Sequence, residues 1–133
     1  MARAKDTLNT RILYVEDNEL VREIMTELLA QDRRQIVACA TAKQALSEFT
    51  RDPFDAVITD VGLPDMSGIE LARGILALKP HVPIILASGY DLGFGIENWG
   101  ANVRSIIKPF DGPQIEALLG ELLKNQRGDC RAN

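Results

Sequence analysis

Val57-Ile58-Thr59-Asp60 is a run that suits a buried β-strand and ends on a carboxylate. The residues that follow, Val61-Gly62-Leu63-Pro64-Asp65, predict a loop because glycine and proline interrupt regular structure. In an open α/β sheet, ligands bind in the crevice beyond the carboxyl ends of the strands, so Asp60 is a candidate site residue. The same carboxylate could instead cap a turn, and this run alone does not separate the two interpretations.

Length and composition favour a single globular domain. The chain has 133 residues, of which 46% are hydrophobic and 26% are charged, and these are ordinary values for such a domain. A transmembrane run and a signal-peptide pattern are both missing from the sequence, so we expect a cytoplasmic protein with no membrane partner. The net charge of −4 argues against a nucleic-acid partner, which requires clustered Lys and Arg. Cys39 and Cys130 are predicted to be reduced thiols.

Apolar strands alternate with helical segments along the chain. Strands are predicted at residues 11–15, 35–40, 54–60, 83–88 and 102–108. The predicted helices begin at the N-caps Asp17 or Asn18, Thr41, Ser67 and Asp111. A further helix is expected within residues 89–100, although Gly93 and Gly95 disfavour it. We expect a flexible N-terminal arm at residues 1–10, a folded domain at 11–125 and a disordered tail at 126–133.

This alternation indicates a doubly wound parallel sheet with helices on both faces, which is an α/β fold. The first, third and fourth strands are continuous apolar runs, as is typical of strands buried on both faces. The second strand begins with Gln35, and the fifth carries Arg104 and Ser105, so these two strands are predicted at the edges. The pattern favours the five-stranded flavodoxin-like order 2-1-3-4-5, in which the ends of strands one and three converge at one crevice.

Five polar groups are predicted at the carboxyl ends of these strands. The carboxylates of Glu16, Asp17 and Asp60 would repel one another, and a hard divalent cation such as Mg²⁺ would relieve that repulsion. The Ser88 hydroxyl and the Lys108 ammonium follow neighbouring strands and suit a phosphoryl group, which Asp60 could accept as a nucleophile. Each group alone could be a helix cap, a turn residue or a solvated strand end, but their joint placement favours a phosphoryl site.

Four motifs in the same order resemble the receiver domain of two-component response regulators, the CheY-like family. They cover about residues 10–125, nearly the whole chain. The motifs are Tyr14-Val15-Glu16-Asp17, Asp60-Val61-Gly62-Leu63-Pro64 with Ser67-Gly68, Ala87-Ser88-Gly89-Tyr90, and Lys108-Pro109-Phe110. In style they are most similar to the receivers of hybrid kinases or to single-domain receivers.

The resemblance implies a signalling module rather than an enzyme, one that catalyses only its own phosphorylation and dephosphorylation. It implies that Asp60 accepts a phosphoryl group from a histidine kinase or a histidine phosphotransfer protein, with Ser88 sensing the phosphate and Lys108 pairing with it. It also implies a cis Lys108-Pro109 bond. The Mg²⁺ ligands that it implies are Glu16, Asp17, Asp60 and the carbonyl of Gly62.

Two departures from the family pattern concern the output of the signal. Ser105 stands where the family usually has an aromatic switch residue, and the stretch from Ser88 to Lys108 is about two residues short. We therefore expect residues 89–100 to respond to phosphorylation, with Tyr90 as the aromatic reporter. The downstream protein target stays open, and a monomer or a weak homodimer is expected.

Three other interpretations remain at this point. A Mg²⁺-dependent phosphatase of the haloacid dehalogenase type would need a second Asp two residues after the nucleophile, where this chain has Gly62. A flavodoxin-type cofactor protein would need a Ser/Thr-rich phosphate loop after the first strand, and that loop is missing. A receiver-like module that no longer accepts phosphate is disfavoured because every acceptor group is present.

Overall fold

The computed structural model describes residues 10–31, 33–92 and 99–132, with side chains through residue 124. The strands are β1 (Thr10–Val15), β2 (Arg34–Cys39), β3 (Ala56–Asp60), β4 (Ile84–Ser88) and β5 (Val103–Ile107). The helices are α1 (Glu19–Leu29), α2 (Ala42–Arg51), α3 (Gly68–Leu78) and α4 (Gly112–Ala132). All neighbouring strands pair in parallel, in the order β2-β1-β3-β4-β5, so the predicted fold class and strand order are confirmed.

The core lies on both faces of this sheet. Successive residues of a strand point to opposite faces. Val57 of β3 accordingly belongs to the cluster that includes residues of α2 and α3, and the next residue, Ile58, belongs to the cluster that includes residues of α1 and α4. All five residues of β3 and all five of β4 are buried, which explains why both strands are continuous apolar runs.

Local side-chain caps begin the four helices of the described residues, as the sequence predicts. Each cap oxygen accepts a hydrogen bond from a backbone N–H two or three residues later, which satisfies one of the open donors of the first turn. The pairs are Asn18 with Val21 at 3.0 Å, Thr41 with Gln44 at 3.1 Å, Ser67 with Ile69 at 3.1 Å and Asp111 with Gln114 at 2.9 Å.

The chain differs from the prediction at three places. Thr10 already pairs in β1 and so is not part of an arm, while residues 1–9 lie outside the described part of the chain. Helix α4 continues through Ala132, across most of the stretch that the sequence predicts to be a disordered tail. Of the helix expected within residues 89–100, residues 89–92 and 99–100 are non-helical, and 93–98 lie outside the described residues.

The apolar stripe of α1 is only partly used by the core. Leu29 is fully buried and Leu28 packs against the same core cluster, but Leu20 is 65% exposed and Ile24 is 56% exposed. The periodicity that predicts the helix therefore extends further than the buried face does. Within the described residues, none of the helices has the length and apolar character that crossing a membrane requires.

Candidate functional site

The strand register brings the predicted site residues to one edge of the sheet. Asp60 is the last residue of β3 and lies opposite Ala87 of β4. Glu16 follows β1, where its N–H donates to the carbonyl of Cys39 at 2.9 Å. Lys108 follows β5, where its N–H donates to the carbonyl of Ser88 at 2.7 Å. Three residues far apart in sequence thus meet because parallel strands end at the same edge.

The three predicted carboxylates form a compact acidic cluster. One carboxylate oxygen from each of Glu16, Asp17 and Asp60 lies within 4.8 Å of the other two. Glu16 is 4% exposed and Asp60 is 9% exposed, whereas Asp17 faces solvent. Burial raises the pKa of Glu16, and the nearby charges of Asp60 and Asp17 raise it further, against the opposing effects of the Asn18 N–H and Lys108. The apposed negative charges favour a cation at this place.

Lys108 places a positive charge beside this acidic cluster. Its Nζ donates to Oδ1 of Asp60 at 2.7 Å and lies 3.8 Å from Oε1 of Glu16. Burial acts to lower the pKa of Lys108, but the hydrogen bond and charge of Asp60, together with Glu16 and Asp17, outweigh it and raise the pKa. The ammonium therefore stays charged at neutral pH. The Lys108-Pro109 peptide bond is cis, as the resemblance implies.

Ser88 and Gly62 lie at the same edge. Ser88 ends β4, is 3% exposed, and its Oγ accepts a hydrogen bond from the N–H of Tyr90 at 3.2 Å. Gly62 lies two residues beyond β3 at an exposed position and forms an isolated bridge with Ser67. All six residues predicted for the site are therefore gathered at one end of the sheet, and their individual roles remain predictions.

Arg22 is a residue of the site that sequence reasoning missed. This α1 residue donates from Nη1 to the carbonyl of Glu16 at 2.8 Å, and the same atom lies 3.4 Å from the carbonyl of Asp17. It therefore fastens the backbone of the acidic turn to the helix that follows. The sequence signal is a basic residue one turn into that helix, but such a residue predicts a surface ion pair rather than a bond to two carbonyl oxygens.

Gly68 lies against the backbone of Asp60, the candidate nucleophile. A Cβ on Gly68 would overlap the carbonyl oxygen of Asp60, and the Gly68 N–H donates to the carbonyl of Val61 at 2.7 Å. The carbonyl oxygen of Asp60 is a backbone atom, so it cannot move aside as the end of a flexible side chain could. Helix α3 can begin directly against the end of β3 only because this position has no side chain.

A cleft of about 440 Å³ opens beside the acidic cluster. One end is polar, and the rest of the lining consists mainly of apolar side chains from β1, α1 and the segment after β5. Its lining residues are Tyr14, Glu16, Val21, Met25, Asp60, Ala87, Lys108, Pro109 and Phe110. Burial, with the charges of Glu16 and Asp60, raises the pKa of Tyr14, so its phenol is neutral.

Comparison with known proteins places this geometry in a family. The chain is 33% identical over 104 residues to the response regulator protein FleR of Pseudomonas aeruginosa, a match that covers 76% of this chain and 22% of FleR. It is 34% identical over 114 residues to the sensor protein TorS of Escherichia coli, covering 85% of this chain and 12% of TorS. The chain thus spans less than a quarter of either relative.

A solved structure matches over nearly its whole length. The response regulator receiver domain protein (CheY-like) from Methanospirillum hungatei JF-1 superposes with a TM-score of 0.82 and 28% identity, covering 90% of this chain and 98% of that one. The family model described as the response regulator receiver domain matches residues 12–120, which contain all six predicted site residues. The chain therefore belongs to the receiver domain family of two-component response regulators.

Proposed function

We propose that Asp60 accepts a phosphoryl group from a phosphohistidine of a histidine kinase or a histidine phosphotransfer protein. The observation that best supports this proposal is the hydrogen bond of 2.7 Å between Lys108 Nζ and Asp60 Oδ1, which lies inside an acidic cluster. A cation held this close to one carboxylate can also pair with a phosphoryl oxygen once that group arrives. In this proposal the chain catalyses only its own phosphorylation and dephosphorylation.

Asp60 is the best placed of the three carboxylates for this role. Oε2 of Glu16 accepts the N–H of Asn18 at 3.0 Å, which makes Glu16 a buried structural partner of its own turn. Asp17 faces solvent, and the short contact of Lys108 is with Asp60 instead. Asp60 alone combines the end of a buried central strand with the lysine contact, and so offers a positioned nucleophile.

The proposed transfer is an in-line displacement at phosphorus. A carboxylate oxygen of Asp60 forms the new O–P bond while the P–N bond to the donor imidazole breaks, and the imidazole leaves with that electron pair. Lys108 pairs with a phosphoryl oxygen, which offsets the charge carried by the transferred group. The Ser88 hydroxyl then donates to another phosphoryl oxygen in exchange for its present contact with Tyr90.

The donor set fits Mg²⁺. All candidate ligands are oxygens, and Mg²⁺ prefers one or two carboxylates completed by water and phosphate oxygens. We propose that the ion is held by Glu16, Asp17, Asp60 and the carbonyl of Gly62, the last lying on the loop directly beyond Asp60. When bound, the ion would offset negative charge and orient the incoming phosphoryl group.

The comparisons support a receiver that communicates through protein contacts. Matches to a response regulator and to a sensor protein agree with a partner in a phosphorelay, while the downstream target is left open. The phosphatase alternative is not favoured, since the family model covers the acceptor motif and Gly62 stands at the position of its required second acid. A cytoplasmic location agrees with Cys39, which is a free and buried thiol.

Incubation with acetyl phosphate and Mg²⁺, followed by mass spectrometry, tests the acceptor. We expect one phosphate that is stable in acid and labile in base, and we expect Asp60→Asn to abolish it. Asp52→Asn is the matched control, because Asp52 is a half-exposed carboxylate next to Arg51 at the end of α2. Full labelling of Asp60→Asn would overturn the assignment, and loss of labelling in Asp52→Asn would mean that the assay reports folding instead.

A further inference from the structure

The loop that follows the proposed acceptor, residues 61–67, is held at four points. Its first residue, Val61, donates its N–H to the carbonyl of Ala87 at 2.9 Å. Its ends are joined by the Gly68 N–H, which donates to the carbonyl of Val61 at 2.7 Å. Gly62 and Ser67 form a bridge across it. The fourth point is different in kind, because the side chain of Asp65 bonds to a helix elsewhere in the chain. Its two carboxylate oxygens accept from the N–H groups of Ala42 and Lys43, each at 2.9 Å.

The target of Asp65 is the first turn of α2, which lies 22 to 23 residues earlier in the chain. That turn already has a local cap, since Thr41 Oγ1 accepts from the Gln44 N–H at 3.1 Å. Asp65 occupies two further donors and leaves the Thr41 bond in place. The Ala42 and Lys43 N–H groups lower the pKa of Asp65, so its carboxylate is charged at neutral pH. A negative charge at the N-terminus of a helix also interacts favourably with the helix dipole.

We infer that Asp65 is a positioning residue, which fixes the metal-binding carbonyl of Gly62 by fastening residues 61–67 to the start of α2. The inference rests on the proposed Mg²⁺ site. Gly62 is exposed and has no side chain of its own to pack, although its neighbours Val61 and Leu63 pack against the core. Besides that packing, its placement depends on the hydrogen bonds of its loop, and the Asp65 bonds tie that loop to another helix.

Groups that orient metal ligands typically change metal affinity about 10- to 100-fold when they are removed. Since Gly62 would be one ligand among several, we expect the lower end of that range. Coupling between two sites is reciprocal. Mg²⁺ binding should therefore also strengthen the hydrogen bonds of the Ala42 and Lys43 N–H groups, which connects the occupancy of the site to the start of α2.

The experiment compares two caps of the same helix. Asp65→Ala removes the contact that reaches the site loop, and Thr41→Ala removes the contact that stays within α2. Calorimetric titration with Mg²⁺ at pH 7.5 measures affinity, and amide hydrogen exchange measures protection at Ala42 and Lys43. We expect Asp65→Ala to weaken Mg²⁺ binding about tenfold, and Mg²⁺ to slow exchange at both amides in the wild-type protein.

For Thr41→Ala we expect a change in Mg²⁺ affinity of less than about twofold, because its bond lies inside α2. Asp65→Asn keeps one acceptor oxygen and should give an intermediate affinity, and it serves as the second variant if Asp65→Ala folds poorly. Wild-type affinity in both Asp65 variants would overturn the inference and leave the proposed function intact. Absence of Mg²⁺ binding by the wild-type protein would instead overturn the proposed metal site.

Discussion

The two halves of the carboxyl edge of the sheet are held in different ways. On the β1–β3 half, a hydrogen bond between a side chain and a backbone group joins each turn to a helix. Arg22 holds the carbonyl of Glu16, and the loop after Asp60 is tied to α2 through Asp65. On the β4–β5 half, Tyr90 is 67% exposed and Ile107 is 51% exposed.

This difference separates two tasks. A phosphoryl acceptor needs groups held in one geometry before the donor arrives. A segment that reports the acceptor's state must instead move at a small free-energy cost, and such segments come from the less stable parts of a fold. Here the fastened half carries the proposed acceptor and the proposed metal ligands, and the other half carries Lys108, Ser88 and the residues that follow them.

On the β1–β3 half, we expect the largest loss of stability where the backbone of α3 lies against the backbone of β3. We expect Gly68→Ala to lower the free energy of unfolding by about 3 kcal/mol, the upper end of the cost of overpacking, because the new Cβ would meet the Asp60 carbonyl oxygen. Urea unfolding measures the loss. Gly74→Ala in the same helix is the control, since its Cβ would make only an ordinary contact of 3.7 Å with Leu46.

The control should be neutral or should stabilise the protein by up to about 1 kcal/mol, because alanine favours helix over glycine. Equal unfolding free energies for the two variants would mean that the close approach of α3 to β3 is not a constraint. It would also remove one reason for treating the β1–β3 half as the rigid one.

An intermediate effect is expected from the metal. At ten times its dissociation constant, Mg²⁺ should stabilise the fold by about 1.4 kcal/mol by mass action, which raises the melting temperature by several degrees. Asp17→Ala should remove most of that increase, whereas Glu19→Ala, an exposed acid at the start of α1, should retain it. An unchanged melting temperature over millimolar Mg²⁺ would argue against a site on this half.

The same measurement has a predicted dependence on pH. The pKa of Glu16 in the folded protein is raised above its usual value of 4.5, mainly by burial. Without Mg²⁺, this group therefore favours the folded state below that value, and the contribution is lost as the pH rises through the raised pKa. Because Mg²⁺ needs the charged carboxylate, its stabilising effect should grow over the same pH interval.

The smallest effect is expected on the exposed half. Beryllofluoride with Mg²⁺ mimics the phosphoryl group, and the largest backbone NMR changes outside the site should fall within residues 89–100, of which 89–92 and 99–100 are described. Trp99 lies over Arg73, with its ring centroid 5.2 Å from the guanidinium carbon, so a modest change in its fluorescence should accompany them. Ser88→Ala should reduce both signals. Static amides there, with shifts in β5 and α4 instead, would contradict this route.

The parts of the fold that depend on local patterns could be predicted from the sequence. The strand order followed from which strands are continuous apolar runs, and the caps followed from pairs such as Thr41 with Gln44. The gathering of Glu16, Asp60 and Lys108 also followed, because parallel strands end at one edge.

Other features depend on tertiary geometry that no local pattern contains. The partners of Asp65 lie more than 20 residues away and are backbone N–H groups, which every residue but proline has. Periodicity predicted α1 as a helix, but it could not tell that Leu20 and Ile24 would remain exposed.

The register of the sheet has a consequence for signalling fidelity. Asp60 lies opposite Ala87, and Ser88 lies opposite Ile107 directly before Lys108. A slip of one residue in any of these strands would turn its side chains to the other face. The acceptor therefore exists only in chains whose central strands have all paired correctly. Under the proposed function, a kinase would phosphorylate native molecules and not misfolded ones. The strength of the signal would then depend on the number of folded receivers, not on the number synthesised.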